Sequence, residues 1–237
     1  PRAVSEHLIE RMLASGVTKL CFVSAPGKSD IVNYYGARIG AARICYVVQA
    51  EAAGLCDAIF CAAPFIAEDD PVVVGLPDTI WFPRDGLARL PLDTLSFLLF
   101  PVERPEFFDA VVTDEIGRVQ EVQVKSREAR SHWVWGAFGM PGHVLHSLHK
   151  LWREPGRGDE YVGTLVNAWL ARGGVARGVR AGETYADVGT MQGWRAAVAL
   201  LEHQPPEAAN DAVPYRALQQ RAVMAASAAR ADQPAAG

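Results

Sequence analysis

The sequence predicts an α/β fold with a mostly parallel central sheet, covered by helices on both faces, and an added antiparallel region. Three observations carry this. Strand-length and helix-length apolar segments alternate from Val4 to Leu76. Pro71-Val72-Val73-Val74-Gly75-Leu76-Pro77-Asp78 holds an apolar run bounded by prolines and lacking polar alternation, as expected of a strand buried on both faces. After Asp78 short strand-like segments follow one another with little room for helices.

The elements follow in order. Val4, Leu8, Ile9, Met12 and Leu13 recur at helical spacing, and Gly16 supplies the stop. Thr18 to Ser24 reads as a buried strand. Pro26, Gly27 and Lys28 turn the chain into a helix carrying Ile31, Tyr34 and Tyr35, which Gly36 and Gly40 end. Ile44 to Gln49 is a strand, Ala52 to Ala63 a helix, and Val72 to Leu76 the strand expected at the centre. Such alternation implies parallel pairing through right-handed crossovers, a Rossmann-like three-layer sandwich. The added strands are Leu95 to Val102, Ala110 to Thr113, Val119 to Val124 and Trp133 to Phe138, with a hairpin turn at Glu115-Ile116-Gly117-Arg118. Helices return at Pro141 to Trp152 and Asp159 to Ala171. Strands near Val175 to Arg180 and Thr184 to Asp187 precede a helix from Met191 to Leu201. The tail, 205–237, is rich in alanine, with a helix expected over Pro214 to Ala229 and frayed last residues.

Composition narrows the function. The 237 residues suffice for one large domain with an appendage, and half of them are apolar. A net charge of -4 offers no broad basic field, which argues against nucleic-acid binding. No apolar run approaches the length of a membrane span and no signal peptide opens the chain, so a cytoplasmic protein is expected. Cys21, Cys45, Cys56 and Cys61 form no C-x-x-C pair and sit among apolar residues, which predicts buried free thiols. Pro1 leads almost directly into the first helix, without an initiator methionine.

The chemistry begins at strand ends. Asp78 closes the Val72–Leu76 strand at its carboxyl end, where open α/β sheets form their ligand crevice, and a carboxylate there suits a cation better than a core. In Tyr46-Val47-Val48-Gln49-Ala50-Glu51-Ala52-Ala53-Gly54-Leu55-Cys56-Asp57 a strand ends in a glutamine and a glycine opens the next helix. A glutamine amide can meet a base edge with one donor and one acceptor, and glycine lets a planar ring approach the backbone; an ordinary strand-to-helix connection explains the same residues equally well.

Five segments together resemble the sugar-1-phosphate nucleotidyltransferase family, the pyrophosphorylases that make nucleotide sugars. Gln49 and Gly54-Leu55 stand in register with its Q-P-x-P-x-G-L, and Leu76-Pro77-Asp78 with its L-P-D. Gly117-Arg118-Val119 through Val124-Lys125-Ser126 resembles a G-x-V stretch leading to E-K-P. Trp135-Gly136 resembles T-G-x-Y, and Tyr185-Ala186-Asp187-Val188-Gly189-Thr190 resembles W-x-D-x-G-T. The resemblance covers most of 1–202 and implies a nucleotidyltransferase-like domain over 1–204. It implies that a nucleotidyl group passes from a nucleoside triphosphate to a sugar 1-phosphate, with release of pyrophosphate. Gln49 and Gly54 would contact the base, Lys125 the phosphate of the sugar phosphate, and Asp78 and Asp187 a shared Mg2+. Oxygen ligands of this kind suit a hard cation. For Asp187 the competing role is a helix N-cap, which Thr190 could equally fill.

The departures matter. The family's G-G-x-G-T-R loop is absent, the sequence beginning just beyond its place; whether the loop is truncated, disordered or lost is left open. Val124 and Ser126 replace the glutamate and proline around Lys125, Asp109 stands near a glycine that in relatives contacts the sugar, and Trp135 fills a threonine position. The alternative reading is therefore a non-catalytic nucleotide-sugar-binding or regulatory subunit of the same fold. A metal-dependent glycosyltransferase is a third reading. The sequence leaves a homo-oligomer open. His143, His146 and His149 share one helix, but Val144, Leu145, Leu148, Leu151 and Trp152 define its buried face, so a metal site is not expected there. Glu68-Asp69-Asp70 reads as a solvated turn.

Overall fold

The computed structural model describes residues 3–202; the tail 205–237 and the helix expected over Pro214 to Ala229 lie outside the described residues. The chain runs through Val4–Ala14 (α1), Lys19–Ser24 (β1), Ser29–Tyr35 (α2), Arg38–Ile39 (β2), Ala42–Val48 (β3) and Gly54–Cys61 (α3). Pro71–Gly75 (β4), Thr79–Phe82 (β5), Leu95–Pro101 (β6), Asp109–Thr113 (β7), Val119–Val124 (β8) and Trp133–Pro141 (β9) follow. Gly142–Trp152 (α4), Val162–Ala171 (α5), Ala176–Val179 (β10), Thr184–Asp187 (β11) and Met191–Glu202 (α6) complete the described chain. Among these residues no helix is long and apolar enough to cross a membrane.

Parallel and antiparallel pairings both occur, in three sheets. β1 lies parallel to β3, with β2 added antiparallel. A six-stranded sheet has the order β10-β6-β9-β7-β8, with β4 also on β9. β5 and β11 form an antiparallel pair. The expected mostly parallel sheet is corrected by this topology: in the six-stranded sheet only β10 and β6 are parallel, while β9 runs against β4 and β6 and β7 runs against β8. The short connections after Asp78 reach only antiparallel neighbours. The β7–β8 hairpin forms where the glycine predicts it: Gly117 takes φ +82° and donates to the carbonyl of Asp114.

The centre of the sheet is β6, not β4. Every residue from Leu95 to Phe100 is buried. Leu95, Phe97 and Leu99 join the cluster that α3, α4 and α5 cover with Phe60, Leu145, Leu148, Leu165 and Val166. Leu98 and Phe100 point the other way, to Leu8 of α1, Trp81 and Leu87. Both faces of this strand are thus apolar with a period of two, and each such side chain contributes about 1.5–3 kcal/mol on burial. The valines of β4 are only partly buried, and β9 is its sole partner among the described strands. Its apolar run therefore reflects one well-packed side and not two.

A bulge fixes how β9 meets β6. Leu98 opposes Ala137 and Leu99 opposes Trp135, which leaves Gly136 unopposed. A Cβ at Gly136 would fall 2.7 Å from the Phe100 ring and 2.8 Å from that of Tyr185, so only glycine fits. The cysteines are also corrected. Cys56 is buried and Cys61 partly so, but Cys21 and Cys45, opposed across the β1–β3 ladder, are exposed. That face of the small sheet is not covered by the main core.

Candidate functional site

Two carboxylates meet where β5 pairs with β11. The register opposes Asp187 to Thr79, the residue after Asp78, so the two acids are diagonal neighbours at the same end of the pair. The backbone closes the corner: the Val188 amide donates to the Asp78 carbonyl (2.9 Å) and the Gly189 amide to Asp187 Oδ1 (2.8 Å). The Cβ position of Gly189 lies 3.0 Å from Asp187 Oδ1 and 3.7 Å from Asp78 Oδ2, so both acids face one small space that a side chain would fill. Burial, and then the neighbouring Asp187 charge, push the Asp78 carboxyl above its usual range, against the lowering effect of a backbone hydrogen bond. A cation between the two would relieve both costs. The N-cap role belongs to Thr190, whose hydroxyl oxygen accepts from the Gly193 amide (3.0 Å) at the start of α6. Asp187 is thereby left to the corner. Among the described residues no cluster of three or more His, Cys, Asp or Glu forms a metal site.

A second group forms at the open end of β7 and β8. Lys125 follows β8 with φ +42°, the one non-glycine among the described residues at positive φ, and its amide donates to the Phe108 carbonyl (3.0 Å). A lysine has no intrinsic reason to adopt this conformation, and such strain is typical of positions held for function. Its ammonium sits 5.0 Å from the centre of the Tyr161 ring. Asp109 opposes Val124 across the hairpin. Burial raises the Asp109 carboxyl above its usual range, while the Trp135 indole and the Lys125 charge work to hold it ionised. Tyr185 packs on Phe100 and edge-on to Phe108, and burial followed by the charges of Asp187, Asp78 and Asp109 drives its phenol far above its usual value. Tyr185 therefore lies between the two groups and links them.

Gln49 and Gly54 adjoin one another at the head of α3. The Gln49 side-chain amide donates to the Gly54 carbonyl (3.1 Å) and to Asp57 (2.7 Å), so its NH2 is used locally and its oxygen is left for a ligand. Gly54 takes φ +91°, and a Cβ there would fall 2.4 Å from the Glu160 side chain and 2.8 Å from its carbonyl oxygen. That carbonyl accepts from the Leu55 and Cys56 amides. The glycine is required by the Glu160 backbone, whatever else approaches it.

The sequence-derived residues thus fall into three groups: Asp78 with Asp187, Lys125 with Asp109, and Gln49 with Gly54. The other candidates are structural. The ring of His146 bonds the Ile66 carbonyl (2.9 Å) and His149 stacks on Phe60, while His143 is exposed. Asp70 accepts from the Ala67 amide and its carbonyl from Gly142, closing the expected turn. Sequence reasoning overlooked Tyr161, which carried no motif, and quoted Tyr185 only as part of one.

Comparison with known proteins is consistent with this geometry. The Nucleotidyl transferase family model matches residues 2–204, and the chain belongs to that family. Among solved structures it is similar to a Bacillus anthracis protein assigned as a glucose-1-phosphate thymidylyltransferase, solved in complex with a sucrose. The TM-score is 0.72 at 22% identity, over 85% of this chain and 83% of that one. It is similar also to a UDP-glucose pyrophosphorylase from Acinetobacter baumanii, with TM-score 0.70 at 17% identity over 94% of this chain and 87% of the other. Identities this low speak for the fold alone. No curated protein matches the chain.

Proposed function

We propose that this chain transfers a nucleotidyl group from a nucleoside triphosphate to a sugar 1-phosphate, giving a nucleotide sugar and pyrophosphate. The convergence of Asp78 and Asp187 on one space beside Gly189, in a chain of the nucleotidyl transferase family, is the observation that supports this reading most. The covered faces of the β6 sheet are in keeping with a Rossmann-like three-layer sandwich.

A phosphate oxygen of the sugar phosphate attacks the α-phosphorus. The new O–P bond forms as the bond to the bridging oxygen of the leaving pyrophosphate breaks. The attacking oxygen is already anionic, so positioning and charge neutralisation matter more than a protein base. Lys125, fixed by its backbone and by Tyr161, holds the sugar phosphate as a point charge. Gln49 presents its oxygen to the base, and the loop at Gly54 supplies the adjoining backbone. The two carboxylates fit Mg2+, a hard ion usually held by one or two carboxylates with phosphate and water; when bound, the ion would neutralise charge on the triphosphate. The test is release of pyrophosphate when the protein is given Mg2+ with a panel of nucleoside triphosphates and sugar 1-phosphates. No turnover of any pair would overturn the reading.

One observation favours a second reading, a non-catalytic nucleotide-sugar-binding or regulatory subunit. Val124, at the family's glutamate position, is packed against α5, where a Cβ on Gly163 would meet its Cγ2 at 2.6 Å. Nucleotide-sugar binding without turnover would select that reading.

A further inference from the structure

Cys21 and Cys45 stand directly opposite one another on the parallel strands β1 and β3. Their neighbours in the ladder, Leu20 with Ile44 and then Phe22, turn to the apolar cluster of Ile9, Tyr35 and Ile39. Alternation along the strands therefore sends both cysteines to the other face, side by side. Both are exposed there as free thiols. Neither joins an apolar cluster, so packing does not account for the pair.

The geometry admits a bond between them. Neighbouring strands lie about 4.7–4.9 Å apart, inside the Cα separation of about 4.4–6.8 Å that a disulfide spans. The two side chains already interact. Enough protein surrounds Cys21 for burial to lead the causes that raise its thiol to about 12, and the hydrogen bond it donates to the Cys45 sulfur comes next, followed by the charges of Cys45 and Cys61. Cys21 thus keeps its proton, and the accepting sulfur of Cys45 is the one placed to attack. Cys61 belongs to α3, which no strand ladder holds in register with either cysteine. Among the described residues no group of three such side chains forms a metal site.

We infer that Cys21 and Cys45 form a redox-active dithiol, which a small-molecule disulfide such as oxidised glutathione converts reversibly into a disulfide that staples β1 to β3. Cys45 gives its proton to water and its sulfur attacks one sulfur of the oxidant, so that a mixed disulfide forms and one glutathione leaves. Cys21 then gives up its proton and its sulfur attacks that of Cys45, releasing the second glutathione. Two protein thiols are oxidised as one glutathione disulfide is reduced to two thiols. The staple closes the chain between β1 and β3 into a ring and stabilises mainly by limiting the unfolded chain. It also holds together the two strands that carry Gln49, whose amide donates to the Ser24 carbonyl at the end of β1. The inference is independent of the function proposed above.

The test equilibrates the unaltered protein in glutathione buffers of rising disulfide content, stops exchange with acid, alkylates the remaining thiols and reads the products by intact mass and peptide mapping. Melting curves are taken on the same samples. The expected result is a loss of two hydrogens, a mapped Cys21–Cys45 link that dithiothreitol reverses, and a melting temperature raised by about 5–10 °C. Cys21→Ser should stop at a glutathione adduct on Cys45, Cys45→Ser should form no link, and Cys61→Ser should behave as the parent. A link to Cys56 or Cys61, a glutathione adduct that never closes in the unaltered protein, or oxidation only after unfolding would overturn the dithiol. A melting temperature unchanged or lowered on closure would overturn the staple.

Discussion

Asp187 and Asp78 face each other across Gly189, with Asp187 Oδ1 3.0 Å and Asp78 Oδ2 3.7 Å from the place where a side chain on that glycine would begin. The two acids are 109 positions apart in the chain. They meet because β5 and β11 pair in one register, and that register opposes Thr79 to Asp187.

Neutralising either acid should therefore disable the corner without unfolding the protein. Asp78→Asn and Asp187→Asn are each expected to lower Mg2+-dependent pyrophosphate release by about 100-fold or more, given the several kcal/mol that a bound cation supplies. Thermal stability should hold, because both carboxylates lie at the rim. Pyrophosphate release and a melting curve on the same preparations check both expectations.

Gly189→Ala tests the same space by filling it. The added methyl would crowd Asp187 Oδ1 first and Asp78 Oδ2 next. The requirement for Mg2+, read as the concentration giving half-maximal activity, should rise, while the affinity for the sugar phosphate stays unchanged.

Lys125 carries a conformation that glycine adopts freely. Lys125→Gly should be at least as stable as the parent, and more stable than Lys125→Ala by about 1 kcal/mol. Both variants should lose affinity for the sugar phosphate. Melting temperatures alongside calorimetric binding separate the backbone effect from the loss of charge.

Asp109 gives a pH dependence with a definite sign. Its neighbours with charge or protons are Lys125 just after β8, Tyr185 on β11 and Cys56 on α3. Burial raises its carboxyl in the folded state, so the folded protein binds this proton more tightly than the unfolded chain. The resulting stability is complete below the unfolded value near 3.8 and is lost as pH rises through the folded value. At pH 7 the buried charge thus costs stability. Asp109→Asn is expected to melt higher than the parent at pH 7, by about 2–4 °C for each kcal/mol gained. The gain should shrink as pH falls through the acid range. A gain that stays constant with pH would show that the charge is not its source.

Gly54→Ala should be the most destabilising of these changes. The position takes φ +91°, and a Cβ would strike the Glu160 carbonyl that receives two amides of α3. A loss of about 2 kcal/mol or more is expected, seen as a lower melting temperature with weakened nucleotide binding.

Most elements were legible because their signals are local. α1 shows its helical spacing and its terminal glycine, β11 and α6 begin within a few residues of the predicted places, and the β7–β8 turn follows from Gly117. Asp78 stood out as a carboxylate at a strand end, whereas Lys125 and Asp187 were singled out only through a resemblance among motifs. Two strands were missed, the two-residue β2 and, of more consequence for the site, β5. Thr79-Ile80-Trp81-Phe82 sits between Pro77 and Pro83, where composition reads as a break, yet all four residues are buried. Its strand character comes from β11, more than a hundred residues away, and a local pattern cannot carry such information.

The sequence by itself determined which residues could do chemistry and which segments would form helices or strands, since side-chain type, periodicity and turn residues are properties of short stretches. Only the tertiary structure decided that β6 is the buried centre, that β4 pairs antiparallel with β9, and that Asp78 and Asp187 meet where β5 pairs with β11. Those outcomes depend on which strands meet. That choice is made by the packing of two apolar faces at once, which no single segment encodes.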